Sequence, residues 1–411
     1  RRSLTMYSKN SKELLSQEVP VVFTPDKNGK LFPAGYRNDV RWWGNILEEE
    51  LHSCLPDGTA KMFTMDFNLG KRCSLNCPHC FVPELKGTAV TQEELLGYFE
   101  EGVELGLREA KWLGEGDPFE YPRAVEFIEK ANALGVGISI FTKGHTLGSD
   151  TLAQRYYKMP AIEIVQRLKE LDASILLGFN SFDRKQQERW VGVDAYPDSA
   201  LLKNYVQFRD QALINLARAE FNEHVPGQAT RLAFSCAPFK PENISEVFEM
   251  FTWARARNIY FVTCPSAESG KGLDELRREQ PNYDEYLGEM AGLYVQMSIW
   301  AIETGLISLE KYKKHGQGLY PGAHVCNQTA AGVEIFCDGT VNQCPGRCDE
   351  STIFCHDIRK STLRDVWVNS ANYRRAKFGK RFNWRCPARD GRSLPHNFYS
   401  RIEEPVLANF S

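Results

Sequence analysis

The 411-residue chain has almost no net charge, no long apolar run and no repeated segment. Its 50 Lys and Arg face 53 Asp and Glu, leaving a formal charge of −3. So even a balance lacks the basic footprint of proteins that bind nucleic acid or anionic membrane surfaces. Neither partner is therefore expected. No apolar stretch approaches the ~20 residues of a membrane-spanning helix. The first twenty residues hold no apolar core behind Arg1 and Arg2, so no signal peptide is read there and a cytoplasmic location is expected. Low-complexity tracts are missing too. With 42% apolar and 25% charged residues, the composition excludes disordered and collagen-like chains.

What is present begins with length. At ~150 residues per domain the chain has room for two or three, and an α/β barrel could use about half of it. The 12 cysteines are too dilute for a disulfide scaffold, which needs more than about 8–10%. They are also unevenly placed. Three fall within 73–80 and five within 326–355, with single ones at 54, 236, 264 and 386. Tight groups of this kind point to metal or redox sites rather than disulfides.

Between residues 61 and 272, short apolar runs alternate with amphipathic helical patterns. Strands are expected at 61–67, 109–113, 136–142, 173–179, 230–236 and 259–264. Helices are expected from Thr91, where Thr91 and Glu94 form a capping box, and from Pro122 to Gly135. A third helix would bury Ile162, Val165 and Leu168. A fourth would bury Ile244, Val247, Phe248 and Phe251. Six strand–helix repeats imply a parallel sheet, open or closed into a barrel, with its ligands at the carboxyl ends of the strands. Trp42 and Trp43 precede a helical run over 45–55 that would pack on the barrel, and 281–305 reads as one long helix. After about 315 the pattern turns to short strands, turns and cysteines.

The first cysteine group is Cys73-x3-Cys77-x2-Cys80, on a loop directly after the first strand. Three thiolates this close can converge on one metal or cluster and leave one coordination position open. A zinc site would instead show paired CxxC or Cys/His spacings.

With Phe81 after the last cysteine, this segment resembles the signature of the radical S-adenosylmethionine (radical SAM) enzymes. The resemblance implies that Cys73, Cys77 and Cys80 hold a [4Fe–4S] cluster whose fourth iron binds S-adenosylmethionine. One electron then breaks the sulfonium and yields a 5′-deoxyadenosyl radical. It also implies further contacts at the strand ends. Gly114-Glu115-Gly116-Asp117-Pro118 resembles the family's GGEP motif, whose backbone meets the methionine amino group, with Asp117 in place of the usual Glu. Lys143, in Thr142-Lys143-Gly144, stands where many members carry Thr-Asn-Gly. Asn180 and Ser181 resemble the polar strand end that touches the ribose. Ser269-Gly270-Lys271-Gly272 resembles the late Gly-rich element. It is no P-loop, because Pro265 occupies the position of the first glycine. The likeness covers about 61–272.

The second group begins with Cys326, then twelve residues, Gly339, four residues and Cys344, with a hairpin signal at Asp338-Gly339. Leu363 and Trp367 sit on a helical pattern beyond, before Cys386. This resembles the SPASM or twitch auxiliary-cluster domain. The later cysteine run of the full form is missing, since Pro387, Ala388 and Arg389 follow Cys386. One auxiliary [4Fe–4S] cluster is therefore expected, on Cys326, Cys344, Cys386 and Cys348. Cys348 is chosen over Cys355 because it shares a turn with Cys344. A zinc knuckle on Cys344, Cys348, Cys355 and His356 is the alternative.

The expected fold class is thus α/β, a partial (β/α)6 TIM-like barrel at 61–275 with a small C-terminal α+β iron–sulfur domain at 316–411. Residues 1–60 form an extension and 276–315 a connecting helix. The expected activity is hydrogen abstraction from a small polar substrate such as a sugar, aminocyclitol or nucleoside, giving oxidation or dehydration. An electron donor of the flavodoxin or ferredoxin kind would serve it. Cys236 and Cys264 end the fifth and sixth strands, where a thiol could return a hydrogen atom, so a radical epimerase is one alternative. A peptide-modifying enzyme and a non-catalytic iron–sulfur carrier are the others.

Overall fold

The computed structural model describes the chain apart from residues 1–9, 45, 47–49, 85–86, 194–198, 200–202, 280–281, 317–327, 380–385, 387 and 390. Six strands stand where the apolar runs place them: β1 Thr64–Phe67, β2 Glu109–Trp112, β3 Gly137–Thr142, β4 Ser174–Gly178, β5 Leu232–Cys236 and β6 Tyr260–Thr263. All pair in parallel, each with the next in sequence. Their residues are almost all buried, as in a sheet covered on both faces.

Three more strands extend the sheet: β7 Gly332–Ile335, β8 Val341–Asn342 and β9 Ile353–Cys355. The order is β6-β5-β4-β3-β2-β1-β7-β8-β9. β7 joins β1 in parallel, and Asp66 is the register partner of Glu334. The hairpin then turns at Asp338-Gly339, where Gly339 takes φ +91°, and β8 and β9 add antiparallel. Pairing to β1 fixes where the C-terminal cysteines can fall.

Side chains alternate across each strand. On β1, Phe67 meets Phe99 and Phe127 at 5.3 Å and Trp112 at 5.5 Å, in the layer beneath the helices. Asp66 and Lys111 instead line the interior. The helix Gln92–Leu105 starts with the expected capping box: Glu94 N–H donates to Thr91 Oγ1 at 3.1 Å, and Thr91 N–H to Glu94 Oε2 at 2.7 Å. The long helix spans Tyr283–Glu303.

Several expectations change. The helix Ala161–Glu170 buries Ile164, Val165 and Leu168, while Ile162 is half-buried, because successive steps of three residues drift off a stripe of period 3.6. In the helix Ile244–Arg255, Val247 and Phe251 are buried while Ile244 and Phe248 are half-buried. Of the run 45–55, residues 45 and 47–49 lie outside the described residues, and 50–55 form turns and the bridge Cys54↔Ala60. Asp57-Gly58 folds the chain back so that Leu55 N–H donates to Thr59 at 2.8 Å, and Glu50 pairs with Arg108 at 2.9 Å. Those contacts replace a helix. Among the described residues, no helix is long and apolar enough to cross a membrane.

Candidate active site

A cavity of about 520 Å³ opens at the strand ends. Cys73, Cys77 and Cys80 line it, as do Gly114, Glu115, Gly116, Asp117 and Lys143. So do Cys264, Cys344 and Cys386. The two distant cysteine groups of the sequence therefore face one space.

The loop of the first three cysteines is pinned from several sides. Glu120, fully buried, accepts from Ser74 N–H and Ser74 Oγ, each at 2.7 Å, and from His145 Nε2 at 2.8 Å. Burial alone would raise the Glu120 carboxyl. His145 and Ser74 overcome that and bring it down to about 2. Burial pulls His145 down, yet the charges of Asp117 and Glu120 leave it raised. Gly116 lies directly under the loop: a Cβ there would stand 2.0 Å from the Arg72 carbonyl oxygen. Lys271 Nζ donates to Asn76 Oδ1 at 2.5 Å and Gly272 N–H to the Cys80 carbonyl at 3.2 Å. The late Gly-rich element, on the helix Gly270–Glu279, thus clamps the loop from the other flank.

Asp117 is fully engaged. Its carboxylate accepts from Thr142 Oγ1 at 2.9 Å, Lys143 N–H at 2.8 Å and Phe119 N–H at 3.1 Å. It joins the ends of β2 and β3, leaving the backbone at 114–116 to meet a ligand. Glu115 accepts from Cys337 N–H at 2.7 Å and also meets the Cys337 thiol, so the hairpin after β7 is tied to this turn. Lys143 crosses the end of β4 over Gly178, where a Cβ would lie 2.7 Å from its Cδ.

Asn180 and Ser181 are buried and do not line the cavity. Asn180 Nδ2 donates to Pro238 at 3.2 Å and Ser181 Oγ to Glu246 at 2.6 Å, tying the β4 and β5 loops together. Cys236 is likewise buried outside the cavity, 3.8 Å from Asn243 Nδ2. Burial pushes its thiol strongly upward. Burial, and then the charges of Glu334, Asp349, Asp338 and Glu350, push the Cys348 thiol up to about 12. Cys326 lies outside the described residues.

Two cavity groups escaped sequence reasoning. Trp43 lines the interior, with its ring 5.0 Å from Phe141 and 5.6 Å from Lys111 Nζ. The paired tryptophans were visible, but nothing local told which one turns inward. Lys111 Nζ pairs with Asp66 at 2.9 Å and donates to Gln328 at 2.6 Å. A buried Lys in a strand is a signal, because an unpaired ammonium there is costly.

Residues 67–209 match the family model described as the Radical SAM superfamily. This part of the chain is a radical SAM domain. A curated relative, the S-adenosylmethionine-dependent nucleotide dehydratase of Flammeovirga pacifica, is 32% identical over 98 residues, 22% of this chain and 33% of the relative. The match thus spans about a third of that relative's length. Among solved structures, SuiB of Streptococcus suis bound to S-adenosylmethionine is 15% identical with a TM-score of 0.46, over 80% of this chain and 69% of that one. BtrN in complex with AdoMet and 2-DOIA is 11% identical with a TM-score of 0.34, over 77% and 87%.

A radical SAM domain takes a [4Fe–4S] cluster and S-adenosylmethionine, and the residues present fit both. The three thiols share one cavity, the charges of Lys143 and Lys271 act on Cys77, and the Gly114–Gly116 turn leaves bare backbone beside them. Among the described residues no three His, Cys, Asp or Glu side chains gather as around a single metal ion.

Proposed function

We propose that the chain cleaves S-adenosylmethionine reductively and removes a hydrogen atom from a small polar substrate, giving oxidation or dehydration. The observation that carries this reading is the single cavity of about 520 Å³ lined by Cys73, Cys77 and Cys80 and also by Cys344 and Cys386. Its volume suits a small ligand. Once bound, cluster and S-adenosylmethionine supply a 5′-deoxyadenosyl radical, and the protein's part is binding, orientation and electrostatics.

Each residue has its own task. Cys73, Cys77 and Cys80 hold the cluster, with Glu120 and His145 fixing their loop through Ser74. The backbone of Gly114 to Gly116 receives the methionine amino group. Deeper in the cavity, the Lys111–Asp66 pair with Gln328 offers both donors and acceptors beside the Trp43 ring. That combination suits a polyhydroxy or heterocyclic ring, such as a sugar, aminocyclitol or nucleoside. The relative named a nucleotide dehydratase supports trying nucleosides and nucleotides first, with loss of water as the first reaction sought. An auxiliary [4Fe–4S] cluster on Cys326, Cys344, Cys386 and one more cysteine would take up an electron in an oxidation. A flavodoxin or ferredoxin would reduce the first cluster.

The test is anaerobic reconstitution followed by dithionite and S-adenosylmethionine. Formation of 5′-deoxyadenosine, accelerated by one member of a nucleoside and sugar panel, is the expected result. A loaded cluster that never yields 5′-deoxyadenosine would leave the chain an electron carrier.

A further inference from the structure

We propose that Cys264, and not Cys348, joins Cys344 and Cys386 as a ligand of the auxiliary cluster. The inference rests on the auxiliary-cluster reading above and deepens it.

The chain leaving β6 runs alongside the turn that carries Cys344. Glu268 N–H donates to the Gly346 carbonyl at 3.0 Å, Cys348 N–H to the Glu268 carbonyl at 3.4 Å, and Glu268 forms a parallel bridge with Arg347. This short pairing lays Glu268 against 346–348. Cys264, four residues before Glu268, lines the cavity together with Cys344, Pro345 and Gly346.

Arg389 lines the same cavity as these cysteines. Its guanidinium hydrogen-bonds the Cys264 sulfur, and the charge of Cys386 also reaches Cys264. Arg389 N–H closes a turn onto the Cys386 carbonyl at 3.1 Å. A Cβ built on Gly346 would lie 3.6 Å from Cys344 Sγ and 3.9 Å from Arg389 Nε, so one glycine separates the two. Cys264, Cys344, Cys386 and Arg389 thus all line the same cavity.

Cys348 lies on the far side of that turn. It does not line the cavity.

One consequence bears on the reaction. With Cys264 bound to iron, every cysteine lining the cavity among the described residues is a cluster ligand, since Cys236 stands outside it. Among the described residues no cavity thiol is then left to return a hydrogen atom to a substrate radical. This favours oxidation or dehydration over epimerisation.

The test uses the full chain with Cys73, Cys77 and Cys80 changed to Ala, so that remaining iron belongs to the auxiliary centre. This background should hold about four irons per chain after reconstitution, with the absorbance and reduced-state EPR of a [4Fe–4S] cluster. Adding Cys264→Ser should lower the iron several-fold or shift the EPR signal. Adding Cys348→Ser should change neither. The reverse pattern overturns the assignment. A background that takes up no iron overturns the auxiliary-cluster reading itself, and this inference with it. Should Cys264→Ser fail to fold, alkylation of the unmutated holoprotein decides. Cys264 should be protected until the iron is chelated and react afterwards, while Cys348 reacts equally in both states. Equal reaction of Cys264 before and after chelation sinks the proposal.

Discussion

Glu120 and His145 share a 2.8 Å hydrogen bond with both side chains fully buried, and Glu120 uses its remaining oxygen capacity on Ser74, next to Cys73. The pair is a positioning device for the cluster loop. Glu120→Gln keeps the shape but points an amide N–H₂ at donors. Breaking a buried charged pair of this kind costs about 3–5 kcal/mol. The expected outcome is a lower urea midpoint and reduced iron retention. The pH dependence follows from the two shifts. Glu120 is depressed from an ordinary 4.5 to about 2, so its contribution is present above 4.5 and lost as pH falls toward 2. His145 is raised from an ordinary 6.5, so its contribution is complete below 6.5 and lost as pH rises through its higher folded value. The stability gap between wild type and Glu120→Gln should therefore be widest between 4.5 and 6.5. A gap that is flat from pH 4 to 9 would remove the charge argument.

Asp66 and Glu334 face each other in the register of β1 and β7, and burial pushes both carboxyls upward. For Glu334 the charge of Asp66 adds to burial, while Asn342 and Asn68 donate to it without reversing the rise. Glu334 thus stays protonated where the unfolded chain has already released its proton. The unfolded state then binds fewer protons, and stability falls as pH rises above 4.5 until Glu334 ionises. Glu334→Gln does not titrate. Its melting temperature should match wild type near pH 4.5 and exceed it increasingly toward pH 8. Parallel melting curves at every pH would show that Glu334 is not held protonated.

The barrel was largely legible because its signals are local. Six apolar runs with capped helices between them need only neighbouring residues to be read, and Thr91 with Glu94 behaves as its spacing implies. The Cys73–Cys80 motif is equally local. What failed to show was pairing over long distances. Nothing in 332–335 says that this strand will lie against 64–67, about 270 residues earlier. The turn that separates Cys348 from the cavity depends on that pairing. Asn180 and Ser181 sit at the end of their strand as expected, but Pro238 of the loop after β5 and Glu246 of the helix Ile244–Arg255 occupy them. Arg389, which in sequence only interrupts a cysteine pattern, lines the cavity and hydrogen-bonds Cys264 from 125 residues away.

The triple change Cys73/Cys77/Cys80→Ala removes three thiols from a loop that Glu120, Gly116 and Lys271 hold through other atoms. The protein should therefore remain folded, with iron reduced by one cluster and no cleavage of S-adenosylmethionine. Circular dichroism and 5′-deoxyadenosine assays check the two halves. Cleavage that survives in this variant would place the radical chemistry elsewhere.

Two glycine substitutions should move in opposite directions. Gly97 lies inside the helix Gln92–Leu105, and a Cβ there meets no atom within 4 Å. Gly97→Ala gains helix propensity at no steric cost and should stabilise the protein by about 0.5–1 kcal/mol. At Gly116 a Cβ would lie 2.0 Å from the Arg72 oxygen, 2.6 Å from its carbonyl carbon and 2.8 Å from its nitrogen. These are backbone atoms, so no side-chain rotation relieves the contact. Arg72 adjoins Cys73, and Asp117 N–H donates to that same Arg72 carbonyl at 3.0 Å. Gly116→Ala must therefore push the cysteine loop off the turn that is to bind the methionine group. Binding of S-adenosylmethionine, measured by equilibrium dialysis on the reconstituted protein, should weaken at least tenfold, equivalent to about 1.4 kcal/mol or more. Wild-type affinity in Gly116→Ala would mean that the loop and the turn are not packed against each other when the cluster is bound.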